Sequence, residues 1–263
     1  MLLNFSLLDD LALALSKGRA VDLRSMRFEA NELGPLVELA LMKTGGVASL
    51  PTLDSIAPCP ARTAAAPFFE KHARGKLITD QVGAYFVTPR TDPSADLKWT
   101  EFLVWAQRAA EKAGIHKRVA QQLVGAIGEL EDNIHLHSQA VDTGYVGYRA
   151  GNNEFEFVVA DAGVGILNSL KSCPDYADLK DAGDALQFAL QDGVSRYGRS
   201  AQRGCGFRPI FVGLANLMGM LRFRSGDHVL VIDGQSPDLA MARVQQRANL
   251  PGFVTSITCR NPG

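Results

Sequence analysis

Cysteine is scarce in this chain. Cys59, Cys173, Cys205 and Cys259 are the four among 263 residues, and no two stand in a CxxC or a paired Cys/His spacing. That pattern argues against a disulfide framework or a zinc finger and makes reduced thiols the expectation. An excess of charge of either sign is missing too: 27 Lys+Arg face 28 Asp+Glu, for a formal net charge of −1. Composition therefore gives no reason to expect nucleic acid or an anionic membrane as a partner. No run approaches the roughly 18 apolar residues of a membrane span. The apolar start, Met1 to Leu8, lacks a basic flank and is broken by Asp9-Asp10, so it does not read as a signal peptide. The expected location is the cytoplasm. A Walker A loop is absent, and Gly163-Val164-Gly165-Ile166-Leu167-Asn168 lacks the third glycine of a dinucleotide fingerprint.

What is present is an ordinary globular composition, 46% hydrophobic and 21% charged, in a chain long enough for a real core. A polar, turn-rich stretch, Thr91 to Asp96, divides it into residues 1–95 and 96–263. In the first segment, short strands are expected at Ala20–Leu23 and Val47–Leu50. Helices are expected over Asn31–Met42, with Asn31 as N-cap, and around Pro67–Ala73. That order is a small α/β unit. In the second segment, the spacing predicts helices over Lys98–Ala113 and Lys117–Ser138, the latter with an apolar stripe at Val119, Leu123, Ile127, Leu130 and Ile134. Strands at Thr143–Arg149 and Glu154–Ala160 flank Gly151-Asn152-Asn153 and read as a hairpin. A helix (Arg208–Met218), a strand pair (Met220–Arg224, His228–Asp233) and a closing strand (Val254–Cys259) complete an α+β reading.

Four short patterns carry chemistry. Glu129, Asn133 and His137 are four residues apart, so they share a helix face. A carboxylate and a carboxamide so presented can serve Mg²⁺, which takes oxygen ligands and shares them with phosphates. Asp161-x-Gly163-x-Gly165 ends a strand with a carboxylate and two glycines, which let the backbone turn and come close to a ligand. Such a carboxylate can accept from the exocyclic amine of adenine. Arg203-Gly204-Cys205-Gly206-Phe207 runs into a helix start, whose free amides suit phosphate oxygens. The fourth is the closing strand from Leu250. Taken singly, each also reads as plain structure: a polar helix face, a capped glycine turn, a helix start, a last strand.

In this order the four resemble the GHKL family of ATP-binding domains (gyrase, chaperone, histidine kinase and mismatch-repair ATPase) over residues 96–263. Glu129 to Ser138 looks like its N box, Asp161 to Gly165 like its G1 box and Arg203 to Phe207 like its G2 box. The resemblance implies a two-layer α/β sandwich of the Bergerat type, binding ATP and Mg²⁺. Asn133 and Glu129 would hold the metal, and Glu129 would act as the catalytic residue. Asp161 would take the adenine amino group, while Gly163, Gly165, Ile166, Arg203, Gly204, Gly206 and Phe207 would shape the pocket. Asn168 to Arg203 would form the lid, with a short helix over Asp184–Gln191. Departures are Cys205 and Phe207 in the G2 box, and Phe253 where many members have Thr, with Thr255 two residues on.

The segment Val21 to Phe28 and the helix after it resemble a STAS-like module, here expected over residues 1–95. With no phosphoacceptor helix pair, the closest kind implied is an anti-sigma-type serine kinase acting on or through a partner protein. An ATPase with a lid-driven cycle, or a non-catalytic nucleotide-sensing module, stays open beside it.

Overall fold

The computed structural model describes residues 1–23, 25–70, 76–151, 153–190, 219–233 and 243–261. Within them lie α1 (Phe5–Ser16), α2 (Gly34–Thr44), α3 (Pro60–Phe69), β1 (Leu77–Ile78), β2 (Val82–Phe86), α4 (Ala95–Lys112) and α5 (Lys117–His137). After these come β3 (Tyr145–Gly151), β4 (Glu154–Asp161), α6 (Gly165–Lys171), α7 (Ala182–Ala189), β5 (Gly219–Asp233) and β6 (Arg243–Arg260). The strands pair antiparallel throughout, in the order β1-β2-β3-β4-β6-β5. The mixed α+β sandwich expected from the sequence is what forms.

The run Phe155 to Ala160 is apolar at every position but Glu156, because both faces of β4 are covered. Phe155, Phe157 and Val159 join Val146 and Tyr148 of β3 on one face, packed under α4, α5, α6 and α7. Val158 and Ala160 join Tyr145, Val82 and Ala84 on the other, packed under α1, α2 and α3. In α5, Leu123, Ile127, Leu130 and Ile134 are buried, as the three- and four-residue steps require. The β3–β4 hairpin also forms as expected. Gly151 pairs with Glu154, and Asn153 takes a φ of +59°, a left-handed angle that Asn tolerates.

The N-terminal segment differs from the sequence reading. Ala20–Leu23 is not a strand, and Val47–Leu50 is turn structure, tied down by Lys43 Nζ donating to the carbonyls of Ala48 (3.2 Å) and Leu50 (2.9 Å). Its extended contacts outside β1 and β2 are single parallel bridges, Leu2 with Glu29 and Phe28 with Ile56. The helix expected from Asn31 starts at Gly34, and Asn31 does not cap it. Glu156 of β4 does: its carboxylate accepts from Leu33 N and Gly34 N, both at 2.7 Å. A buried carboxylate answers orphan amides at a helix start better than an exposed Asn side chain. The helix placed around Pro67–Ala73 runs over Pro60–Phe69 instead, opened by Pro60 and by Cys59, whose sulfur accepts from Arg62 N; residues 71–75 lie outside the described set. β1 and β2 precede residue 95; β1 pairs with β2 and β2 with β3, so the sheet continues across the Thr91–Asp96 stretch.

At the other end, the expected pair Met220–Arg224 and His228–Asp233 is one strand, β5, bent rather than folded back. Its register against β6 slips between Ser225 and Gly226 and again between Gly226 and His228. A slip of this kind lets a strand bend without ending.

Candidate functional site

The C-terminal end of α5 and the end of β4 come together. Ser138 closes α5: its Oγ donates to the Ile134 carbonyl (2.6 Å) and its own carbonyl accepts from Val164 N (2.9 Å). The Asp161–Ile166 loop thus hangs on the last turn of the helix that carries Glu129 and Asn133. Gly163 sits there because nothing larger fits, since a Cβ would lie 2.0 Å from the Ser138 carbonyl oxygen. His137 Nδ1 and Ser169 Oγ of α6, 3.3 Å apart, tie the same helix to the element after the loop.

Asp161 ends β4 with 5% of its surface exposed, and its Oδ1 accepts from Gly163 N at 2.8 Å. Burial pushes its carboxyl up to about 6, against the smaller opposing effect of that hydrogen bond. On the neighbouring strand, Phe253 pairs with Asp161, and Gly252 has a φ of +72°. A Cβ on Gly252 would meet the Asp161 carbonyl oxygen at 1.9 Å, so the close approach of β6 to the loop also needs a glycine. Ser225 closes the arrangement from β5, accepting Ile166 N–H (3.0 Å) and donating to the Gly252 carbonyl (2.7 Å).

Thr255 lies diagonally across from Asp161, paired with Val159 of β4 and Phe223 of β5. It is fully buried, and its Oγ1 has no hydrogen-bond partner among the described residues. Strand alternation puts it on the face of Val159 and Phe223, under α4–α7. An unpaired buried hydroxyl costs roughly 1–3 kcal/mol, so it is a feature that calls for a reason.

A small apolar pocket of about 10 Å³ is lined by Ile166, Leu186, Ala189, Leu190, Phe223, Leu230 and Phe253, of which Phe223 is the β5 partner of Thr255. That is room for about one water. α7 closes it, with Ala182, Ala185, Leu186 and Ala189 buried. The stretch expected as a lid, Asn168 to Arg203, is therefore structured as far as it is described: α6, a short 3-10 turn and α7. α7 is the short helix expected near Asp184–Gln191, opened by Asp181, whose Oδ1 accepts from Asp184 N (2.9 Å).

Along α5, Glu129 is exposed and Asn133 half-buried, beside buried Leu130 and Ile134. Glu129 and Asn133 thus lie on the helix from whose last turn the loop of Asp161, Gly163, Gly165 and Ile166 hangs, and the contacts from the helix end to the loop and to α6 run through Ser138 and His137. Arg203, Gly204, Gly206 and Phe207 lie outside the described residues. Among those described, no group of three or more His, Cys, Asp or Glu side chains is placed to hold a metal ion.

Two features escaped the sequence reading. Glu131 is buried on α5 with His135 Nε2 at 2.8 Å; burial raises its carboxyl above the usual value although His135 opposes this. On the far face of the sheet, Asp9, Glu38, Arg222, Arg224 and Arg247 form one ion cluster. Its sequence signal was a lone Glu38 inside the apolar run Pro35 to Met42, and arginines alternating with Leu221 and Phe223. A charge in such a place needs a partner. Compared with family models, curated proteins and solved structures, the chain has no match in any of the three.

Proposed function

We propose that the chain is an ATP-binding regulatory protein of the GHKL kind, similar to anti-sigma-type serine kinases and acting on or through a protein partner. One observation carries the reading. On the face under α4–α7, a buried Asp161 with a raised pKa stands diagonally across from a buried Thr255 hydroxyl of β6 with no partner among the described residues, and the loop that Asp161 opens hangs from the Glu129/Asn133 helix. Adenine suits this pair because its amino group donates to a carboxylate and its ring nitrogen accepts from a hydroxyl or a bridging water. The flat apolar walls Ile166, Phe223 and Phe253 suit a purine ring.

In this reading Asn133 and Glu129 would ligate Mg²⁺, whose remaining positions water and phosphate oxygens fill. Glu129, exposed on the helix, would also take a proton, through the carboxylate oxygen not on the metal, from an attacking hydroxyl, whether of a partner's serine or of water. Admission of the purine requires α7 to lift from Phe223, Leu230 and Phe253, so nucleotide binding and lid position are one equilibrium. A second reading, a nucleotide-sensing module without turnover, draws on Phe253, which stands in register with Asp161 and narrows the pocket.

The test is calorimetry of Mg·ATP with the wild type and with Asp161→Asn, Asn133→Ala and Glu129→Ala, followed by γ-labelled ATP. The reading expects binding by the wild type, its loss in Asp161→Asn, and Mg²⁺-dependent weakening in Asn133→Ala. Loss of label transfer or hydrolysis in Glu129→Ala, with binding kept, supports the kinase or ATPase form. A wild type that binds ATP and never consumes it supports the sensing module. No binding at millimolar ATP would sink both.

A further inference from the structure

The candidate site and the N-terminal helices meet at one residue of β5. Arg224 is fully buried, and its Nη1 donates to Asp9 Oδ1 of α1 (2.8 Å) and to Glu38 Oε2 of α2 (2.6 Å). Its Nη2 donates to the Ala248 carbonyl of β6 (2.7 Å). The next residue, Ser225, faces the opposite way and holds Ile166 N and the Gly252 carbonyl. Directly after it comes the slip in β5, where Gly226 takes a φ of +57° and pairs with Leu250, two residues beyond Ala248. A slipped pair leaves a strand several ways to bend. Here one guanidinium spans the slip from β5 to β6, and two carboxylates from the helical layer hold that guanidinium.

We propose that Arg224 is a positioning residue of the candidate site: the Asp9–Glu38 clamp on its guanidinium sets the bend of β5, and the bend sets the Ser225 hydroxyl that holds the Asp161–Ile166 loop. Asp9 is the sensitive member. Its two oxygens take bonds from Arg222 (2.9 and 3.1 Å), Arg224 (2.8 Å) and Arg247 (2.8 Å). Without its charge, Arg222 and Arg224 share Glu38 alone in a poorly solvated place, and Arg247 loses its carboxylate. Arg224 then keeps Glu38 and the Ala248 carbonyl but loses one of its two carboxylates, and its Nε has no partner among the described residues. Asp9 also sits on a helix held by a few side chains: besides it, Leu8 and Ala12 of α1 are buried, with Leu7, Leu11 and Leu15 half-buried against the same core. A partner that draws α1 from the sheet would therefore loosen the loop on the far face. The consequence for nucleotide affinity rests on the function proposed above; the coupling itself is stated in bonds within the protein.

Amide hydrogen exchange tests the coupling without any ligand, in the full chain of the wild type, Asp9→Asn and Ser225→Ala. Glu154→Gln, in the separate Arg149–Arg260 ion group, serves as the comparison. The expected result is a loss of at least about tenfold in protection at Ile166 N–H in the first two variants, with Phe157 and Val159 N–H unchanged, and no selective loss in Glu154→Gln. Protection at Ile166 that stays at the wild-type value in Asp9→Asn, or falls only by the factor seen at Phe157 and Val159, overturns the proposal. If Asp9→Asn does not fold, Arg247→Gln at the cluster's partly exposed rim takes its place. A smaller selective loss at Ile166 is then expected, and none overturns the proposal. ATP titration of the same samples keeps the two ideas apart: a wild type that binds no ATP ends the nucleotide reading and leaves the exchange result to stand or fall by itself.

Discussion

Under α1–α3, the buried charged side chains of the sheet are paired, Arg222 and Arg224 with Asp9 and Glu38 of the helices and Glu156 with Arg149 and the start of α2; Arg224 Nε alone lacks a partner among the described residues there. Under α4–α7 the face is a wall of Phe102, Tyr148, Phe155, Phe157 and Phe223, and its polar exceptions are poorly served. The Thr255 and Tyr176 hydroxyls have no partner among the described residues, and Asp161 has one. Polar groups that satisfy each other hold a structure together. Polar groups left short, near a small apolar pocket and two tight glycine turns, are the ground for proposing that this face takes a ligand.

The largest effect should come from breaking the satisfied face. Glu38→Ala leaves Arg222 and Arg224 with a single shared carboxylate, and should cost about 3–5 kcal/mol in denaturant unfolding. Burial works against the ionised Glu38, but the two guanidiniums outweigh it, so its pKa lies below the usual carboxylate value. Its contribution is therefore present above the unfolded-state pKa and lost as pH falls through the lowered folded value. If Glu38→Ala costs no more at pH 7 than an exposed substitution, the clamp is not what the geometry says.

Asp161 carries the opposite sign. Its folded pKa is raised from 3.8 to about 6, so folding binds a proton, and stability falls as pH rises between those values. Above pH 6 the ionised group costs at most about 3 kcal/mol. Asp161→Asn should therefore raise the unfolding midpoint at pH 8 and leave it near the wild-type value at pH 4, while losing ATP binding. A pH-independent change would contradict the burial argument. Next in size, Gly252→Ala should cost about 1–3 kcal/mol, because both its φ of +72° and the Asp161 carbonyl oppose a Cβ. Thr255→Val should stabilise the free protein by about 1 kcal/mol, since it removes an unpaired hydroxyl at constant shape. The smallest effect belongs to Glu129→Ala: exposed, it should move stability by less than about 0.5 kcal/mol, whatever it does to turnover.

The same division marks what was legible in the sequence. α4, α5 and the β3–β4 hairpin follow from apolar periodicity and from Gly151-Asn152-Asn153, because those signals are local. The glycines around Asp161 stood out by spacing, and the structure adds the reason for Gly163: contact with the end of α5. The helical layer was largely illegible. Glu156 caps α2 from a position 122 residues away, and Arg224 meets Asp9 across 215, so no window of the sequence holds both partners. Val47–Leu50 looked like a strand by composition, and lost to two hydrogen bonds from Lys43. Nor could the bend of β5 be read as one strand, since Ser225-Gly226 carries an ordinary turn signal.

The most direct measurement is calorimetric titration of Mg·ATP into the wild type and Thr255→Val at pH 8, with the unfolding midpoint of each recorded beside it. The account predicts that the wild type binds, and that Thr255→Val is the more stable protein and the weaker binder. A Thr255→Val protein that gains stability and binds ATP as tightly as the wild type, or a wild type that binds none, would contradict the claim that the short-served polar groups of this face await a nucleotide.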